Sequence, residues 1–266
     1  MKELLWKNIL AVRERSPLVH SITNYVVMNT TANALLSVGA SPIMAHAHPE
    51  MDDLVSISGA LVVNIGTLDE YWVKSMHLAI ARANQLKKPW VLDPVGAGAS
   101  AYRNEVLESL LQLRPSVIRG NASEIMALAR KHTATTKGVD STNQSSEAVE
   151  AARVLNDHFG STVCISGATD IIIDQKQIIR ISNGHAMMTR VTGLGCTATA
   201  LTGAFVALQP SSLAEAAASA MALLGVAGEL GAERSKGPGS LQLNILDMLH
   251  TLSQEAFAAR VKVEVQ

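Results

Sequence analysis

The sequence predicts an α/β fold in which a mainly parallel central sheet carries helices on both faces. Helical stretches alternate along the chain with short β-branched runs, the pattern of repeated β-α-β units. The 266 residues are 48% hydrophobic and 17% charged, which is apolar enough for a large core. Because we find no repeat of roughly 20 to 50 residues and no long linker, we expect one domain spanning residues 1–266.

The clearest β-α-β unit lies in the first half of the chain. Residues 61–66 (LVVNIG) predict a strand, and Thr67 with Glu70 predicts a capping box that opens a helix. Residues 87–89 (KKP) close that helix, and residues 90–93 (WVLD) predict the next strand. The unit has the length of an ordinary parallel crossover.

The same rhythm continues towards the C-terminus. Residues 116–119 predict a strand followed by a helix from Asn121, and a helix near 147–158 precedes a strand at 162–166. Residues 171–182 predict a short antiparallel pair, after which the chain becomes mostly helical.

Composition excludes several classes of function. Lys+Arg 22 against Asp+Glu 23 leaves a net charge of -1, and 3% aromatic residues offer no stacking platform, so we expect no nucleic-acid partner. The apolar run at 216–228 is shorter than the ~20 residues that span a bilayer, so it predicts a buried helix and no membrane association. Two cysteines make no disulfide framework, which favours a cytoplasmic location.

Polar residues follow the predicted strands. In open parallel sheets ligands bind beyond the carboxyl ends of the strands, so Asp93, Arg119, Asn121 and Ser166 are expected to converge on one crevice. Asp93 and Glu124 are candidate Mg²⁺ ligands acting through water, because Mg²⁺ prefers oxygen ligands and retains waters. Asp93 could instead cap a turn, and Glu124 could simply complement a helix dipole.

A glycine-rich turn precedes the C-terminal helical portion. Gly193 and Gly195 permit a tight turn at a helix start, where free N–H groups and the helix dipole favour a phosphate. The same pattern could be a purely structural turn. It is not a P-loop, because the Gly-Lys-Ser/Thr of that motif is absent.

Six short motifs in order resemble the hydroxyethylthiazole kinase family of the ribokinase-like superfamily. They lie within a match that runs from residues 16–24 to residues 236–240. The motifs are residues 39–44 (GASPIM), 64–68 (NIGTL), 93–98 (DPVGAG), 119–124 (RGNASE), 137–140 (KGVD) and 191–196 (VTGLGC).

The resemblance implies a ribokinase-like three-layer sandwich that phosphorylates the hydroxyl of 4-methyl-5-(2-hydroxyethyl)thiazole, with ATP as co-substrate and Mg²⁺ as cofactor, in thiamine biosynthesis and salvage. It also implies a homotrimer with active sites between subunits. The implied thiazole contacts are Met44, Gly193, Asn24, Val26 and Gly66. The implied nucleotide contacts are Arg119 and Ser166, near which Asn121 supplies an amide; a guanidinium at 119 also suits phosphate oxygens.

Cys196 stands where most ribokinase-like kinases carry an aspartate as catalytic base, and in this it resembles the thiazole kinases. We expect the start of the helix to lower the pKa of this thiol, which could then accept the alcohol proton. Phosphoryl transfer depends more on positioning and charge neutralisation than on a strong base.

Three alternatives remain open from the sequence. One is a ribokinase-like kinase for another small alcohol, such as a pyrimidine alcohol or a sugar, although the apolar Met44 and Val26 argue against a sugar. Another is a nucleotide-dependent hydrate dehydratase of similar fold, and the third is a non-catalytic sensor of nucleotide or thiazole.

Overall fold

The computed structural model describes residues 1–132 and 144–266 of the chain. The motif at residues 137–140 lies outside the described residues.

The described strands form one sheet in the order β2-β1-β3-β4-β5-β6-β7-β8-β9. Each neighbouring pair from β2 to β6 is parallel, and each pair from β6 to β9 is antiparallel. The strands are β1 (Leu18–Ile22), β2 (Ser41–Ile43), β3 (Ala60–Asn64), β4 (Trp90–Asp93), β5 (Val117–Asn121), β6 (Thr162–Ser166), β7 (Asp170–Ile173), β8 (Ile178–Ile181) and β9 (Val263–Val265).

Helices cover both faces of this sheet. The helices on one face are α1 (Lys2–Arg15), α2 (Met28–Ser37), α8 (Leu194–Val206), α9 (Leu213–Glu233), α10 (Pro238–Thr251) and α11 (Gln254–Arg260). The helices on the other face are α3 (Met51–Ile57), α4 (Glu70–Gln85), α5 (Ala101–Leu111), α6 (Ala122–Ala129) and α7 (Gln144–Phe159).

Alternating strand side chains feed two separate cores. In β3, Val62 packs into the core on the α8 and α9 side, whereas Leu61 and Val63 pack into the core on the α4 side. Because all five residues of β3 are buried, its sequence is continuously apolar up to Asn64, as expected for a central parallel strand. The predicted layered α/β architecture is therefore confirmed.

Most predicted elements are present, with corrected boundaries. The strand at 90–93 and the antiparallel pair within 171–182 are confirmed, and α7 contains the predicted 147–158 helix. The predicted strand 61–66 ends at Asn64, because Asn64 Oδ1 accepts a hydrogen bond from Gly66 N that turns the chain out of the sheet. The predicted strand at 116–119 runs instead from Val117 to Asn121.

The predicted capping box at α4 is wrong. Asp69 caps this helix by accepting a hydrogen bond from Trp72 N at 2.8 Å, and the helix begins at Glu70. Thr67 accepts a hydrogen bond from Tyr25 N at 3.1 Å instead, so it ties the loop after β3 to the loop after β1.

Helix α9 is long and apolar enough to cross a membrane by length and composition alone. Its apolar window is 78% buried inside the fold, as the core helix of a soluble protein would be. The predicted burial of residues 216–228 is confirmed.

Candidate active site

The carboxyl ends of the parallel strands meet at one edge of the sheet. Register pairs Asn64 of β3 with Asp93 of β4, and Asn121 of β5 with Ser166 of β6. The strand order reverses direction between β1 and β3, which makes this edge a topological switch point, the usual ligand crevice of open α/β sheets.

A chain of hydrogen bonds connects these strand ends to α8. Thr199 Oγ1 and Asn64 Nδ2 both donate to Asp93 Oδ2, at 2.7 and 2.6 Å. Asn24 Nδ2 in turn donates to Asn64 Oδ1 at 2.8 Å. It also lies 3.5 Å from Cys196 Sγ, to which it donates a weak hydrogen bond. Asp93, Asn64 and Asn24 are buried, so the chain of contacts is held in a fixed geometry.

Gly66 lies directly against this chain. A Cβ atom at Gly66 would approach Asn24 Nδ2 to 2.5 Å, so only glycine fits beside the amide. The structure therefore brings Asn24, Gly66 and Cys196 together, as the roles implied by the family resemblance require.

Glu124 holds the turn after β4 against the start of α6. Its Oε1 accepts the N–H of Gly96 at 3.0 Å, and its Oε2 accepts the N–H of Asn121 at 2.8 Å. Asn121 caps α6 by accepting from Glu124 N at 2.9 Å. The carboxylate thus completes a capping box, and each of its oxygens accepts one hydrogen bond from the described residues, which leaves a lone pair for a further ligand.

Burial raises the pKa of the Asp93 carboxyl to about 6, against the opposing effects of Arg119 and of the hydrogen bond from Thr199. The negative charge of Glu124 also raises this pKa, so the two carboxylates interact. A divalent cation held between them through water would relieve both effects. The hydrogen bonds to Asp93 from described residues both end on Oδ2, which leaves Oδ1 as an oxygen ligand.

Arg119 lies beneath the first turn of α8. Its Nη2 donates to Ser166 Oγ at 2.6 Å, and a Cβ atom at Gly195 would lie 2.9 Å from its Nη1. Arg119 Nε and Thr197 Oγ1 are buried and have no hydrogen-bond partner among the described residues. Arg119 Nε is thus an unpaired donor of a residue that lines the cavity and lies at a helix N-terminus, and it is a candidate donor to an anionic ligand.

A cavity of about 650 Å³ opens beside Arg119 and Ser166. Its volume is within the usual range for small-molecule sites. Gly195 forms part of its wall, and its apolar lining includes Met188, Met221 and Leu224.

The glycine turn is built as the sequence predicts. Gly193 is the N-cap of α8 with φ 79°, a left-handed conformation that favours glycine, and a side chain there would collide with Val27.

The last two predicted thiazole contacts, Met44 and Val26, are less buried than Asn24. Met44 directly follows the last residue of β2, and Val26 is 65% exposed. The Val26 N–H donates to Asn24 Oδ1 at 3.1 Å, and Asn24 Nδ2 lies 3.5 Å from Cys196 Sγ, so Val26 adjoins the Asn24–Cys196 contact.

The expected effect of α8 on Cys196 is wrong. Burial raises the pKa of the Cys196 thiol to about 11, and the nearby Asp93 acts in the same direction. The thiol is therefore protonated at neutral pH and is a poor base in this state.

Several functional neighbours escaped the sequence analysis. Asn64 belongs to the motif at residues 64–68 but received no role, because the strand was predicted to continue to residue 66, whereas it ends at Asn64. Thr199 lies one turn beyond the glycine segment, and no pattern in the sequence pairs it with Asp93. Asp170, the first residue of β7, lines the cavity beside Arg119.

Solved structures with little sequence identity to this chain share its fold. A ribokinase-like superfamily protein from Enterococcus faecalis matches over 97% of this chain and 95% of its own at a TM-score of 0.69, with 13% identity, so the likeness concerns the fold alone. The layered fold, with helices on both faces of a mainly parallel sheet, is a ribokinase-like fold.

Sequence comparison specifies the family. The family model described as "Hydroxyethylthiazole kinase family" matches residues 9–255. A hydroxyethylthiazole kinase from Syntrophus aciditrophicus is 57% identical over 262 residues, covering 98% of this chain and 97% of the relative. The structure of a hydroxyethylthiazole kinase protein from Pyrococcus horikoshii OT3 covers 100% of both chains at 41% identity and a TM-score of 0.92. The chain belongs to the hydroxyethylthiazole kinase family.

Proposed function

We propose that the protein transfers the terminal phosphoryl group of ATP to the hydroxyl of 4-methyl-5-(2-hydroxyethyl)thiazole, in thiamine biosynthesis and salvage. The observation that carries this assignment is the Asn24–Gly66–Cys196 cluster beside the first turn of α8, with Arg119 under the same turn. This arrangement, in a member of this family, supports an acceptor site on one side of the helix N-terminus and a phosphate site on the other. Relatives at 51 to 57% identity are named hydroxyethylthiazole kinase, which disfavours the dehydratase and sensor alternatives.

The donor side is the cavity beside Arg119. Arg119 and Ser166 bind phosphate oxygens of the nucleotide, with the Asn121 amide near them, while Met188, Met221 and Leu224 offer apolar surface for its base. Backbone N–H groups at the start of α8 stabilise the charge of the phosphoryl group in transfer.

Asp93 and Glu124 hold Mg²⁺, chiefly through water. When bound, Mg²⁺ neutralises phosphate charge and orients the phosphates. Among the described residues no group of three or more His, Cys, Asp or Glu side chains forms a closed metal cage, which agrees with a cation that keeps waters and phosphate oxygens as ligands.

The acceptor side consists of Asn24, Gly66 and Gly193, with Met44 and Val26 providing apolar contacts for the thiazole ring. The thiol of Cys196 lies beside the reacting hydroxyl. Because the thiol stays protonated, it contributes contact and polarity more than proton abstraction. The loose transition state of phosphoryl transfer tolerates this weak base.

The protein acts as a homotrimer with active sites between subunits, in the cytoplasm. Tyr25 and Val26, next to Asn24 on the acceptor side, are 61% and 65% exposed, so a neighbouring subunit would complete this wall. Mass measurement in solution tests the trimer, and a surface variant that yields monomers should lose activity without unfolding.

The activity is tested with Mg-ATP and a panel containing the thiazole alcohol, a pyrimidine alcohol and a sugar. We expect ADP and a phosphorylated product with the thiazole alcohol. Absence of thiazole-dependent ADP release would contradict the assignment, and stronger turnover of another alcohol would favour that kinase instead.

A further inference from the structure

Arg103 in the first turn of α5 binds three backbone carbonyls. Its Nη1 donates to Ile65 O at 2.6 Å and to Val95 O at 2.9 Å, and its Nη2 donates to Gly66 O at 2.6 Å. Among the described residues Arg103 makes no ion pair, so these carbonyls receive its charge. Hydrogen bonds from a charged donor are stronger than neutral ones.

The three carbonyls belong to two different loops. Ile65 and Gly66 form the turn after β3, which packs on Asn24 and is here named the acceptor loop. Val95 belongs to the turn after β4, residues 94–98, which is here named the metal turn because it follows Asp93 and is bound by Glu124. The planar guanidinium therefore joins the loop that shapes the acceptor site to the turn beside the candidate metal carboxylate.

We propose that Arg103 is a positioning residue that fixes the acceptor loop relative to the metal turn, and that it thereby aligns the alcohol with the transferring phosphoryl group. The proposal rests on the function proposed above. Reaction between two bound groups is sensitive to displacements of about 1 Å, so loosening this joint lowers turnover without removing any substrate contact. The Arg119–Ser166 pair makes no hydrogen bond to Arg103, so nucleotide affinity should be spared.

The chain offers a matched control. Arg13 also binds three carbonyls, with Nη1 donating to Leu252 O at 2.9 Å and Nη2 reaching Leu249 O at 3.2 Å and His250 O at 3.4 Å. These contacts join α1 to the end of α10, and none of them involves a residue of the candidate active site. Arg13→Met and Arg103→Met thus remove comparable bonding, and only the second variant disturbs the joint between the two loops.

The experiment compares wild type, Arg103→Met, Arg103→Lys and Arg13→Met. Its readouts are Tm, the Kd for ATP without acceptor, and kcat and KM for the thiazole alcohol at saturating ATP. For Arg103→Met we expect kcat to fall about 10- to 100-fold and the acceptor KM to rise, with the Kd for ATP within about twofold. Arg103→Lys should recover part of kcat because it keeps the charge, and Arg13→Met should keep wild-type kinetics at any Tm that it reaches.

Amide hydrogen exchange gives a second readout that requires no turnover. Arg103→Met should speed exchange in the acceptor loop and the metal turn together, whereas Arg13→Met should leave both unchanged. If neither loop responds, or if Arg103→Met and Arg13→Met have equal kinetics, Arg103 has no positioning role. A fall in ATP affinity as large as the fall in kcat would also overturn the proposal. Failure of the wild type to phosphorylate any alcohol counts against the proposed function, and the exchange comparison still decides the role of Arg103.

Discussion

Replacing Asp170 with asparagine should stabilise the protein at neutral pH. Asp170 begins β7, is 7% exposed, and accepts a hydrogen bond from Gly167 N at 3.0 Å. Burial raises the pKa of its carboxyl from 3.8 to about 6, against the effects of that hydrogen bond and of Arg119. The folded protein therefore binds this proton more tightly than the unfolded chain does.

The sign and size of the effect follow from this shift. Below pH ~3 the carboxyl is largely protonated in both states. As the pH rises from there to about 6, the unfolded chain ionises this group more readily than the folded protein does, so the folded state loses stability. A shift of about 2 pKa units corresponds to about 3 kcal/mol at pH 7. Asparagine keeps the acceptor for Gly167 N and removes this cost, while its added N–H₂ group offsets about 1 kcal/mol if unpaired.

Urea unfolding of both proteins at pH 4.5 and pH 7.5 measures the effect. We expect Asp170→Asn to gain about 2 kcal/mol in its free energy of unfolding, relative to wild type, between the lower and the higher pH. The m value should stay unchanged, since the extent of surface exposed on unfolding is the same. A difference between the two proteins that is equal at both pH values, or larger at pH 4.5, would refute the argument that ionising Asp170 costs folding stability.

Three further predictions concern the candidate site. Because burial raises the pKa of Cys196 to about 11, its alkylation by iodoacetamide should be slow at pH 7 and accelerate steeply above pH ~9; fast labelling at pH 7 would contradict this. Cys196→Ala and Cys196→Asp should each retain activity, with a loss of about tenfold or less for alanine. Gly66→Ala should lower kcat/KM for the alcohol at least about tenfold with little change in ATP affinity, since its Cβ would lie 2.5 Å from Asn24 Nδ2. Unaltered acceptor kinetics would count against Gly66 as a thiazole contact. Ser166→Ala should raise the KM for ATP about three- to tenfold by freeing the Arg119 guanidinium, with the acceptor KM unchanged; the reverse pattern would exchange the two sites.

The sequence predicts the elements whose signals are local. Residues 90–93 are a strand as predicted, because a short apolar run ends at a proline turn. The start of α4 was misplaced because Thr67 and Asp69 are both good N-cap residues, and Thr67 is taken up by a distant backbone N–H of Tyr25. Local spacing cannot reveal that competition.

The electrostatics of the site could not be predicted for a similar reason. The sequence places Cys196 at a helix start, where the dipole alone would lower its pKa. Burial against Asp93 outweighs that effect, and burial depends on how α8 lies over the strand ends. The contacts of Arg103 could not be predicted either, because its partners are backbone carbonyls, which every sequence presents.

The hydrogen bonds of Asn64 explain why the residue at the centre of this site is an amide and not a carboxylate. Its Nδ2 donates to Asp93 at 2.6 Å, while its Oδ1 accepts from Asn24 and from Gly66 N. A carboxylate could accept the last two bonds but could not donate the first, and it would set a second negative charge against Asp93. The amide therefore binds Asp93 without adding a second charge, and it fixes the orientation of Asn24. Through this one side chain, the position of Asp93 is tied to that of Asn24, and the proposed donor and acceptor sides would share one geometry.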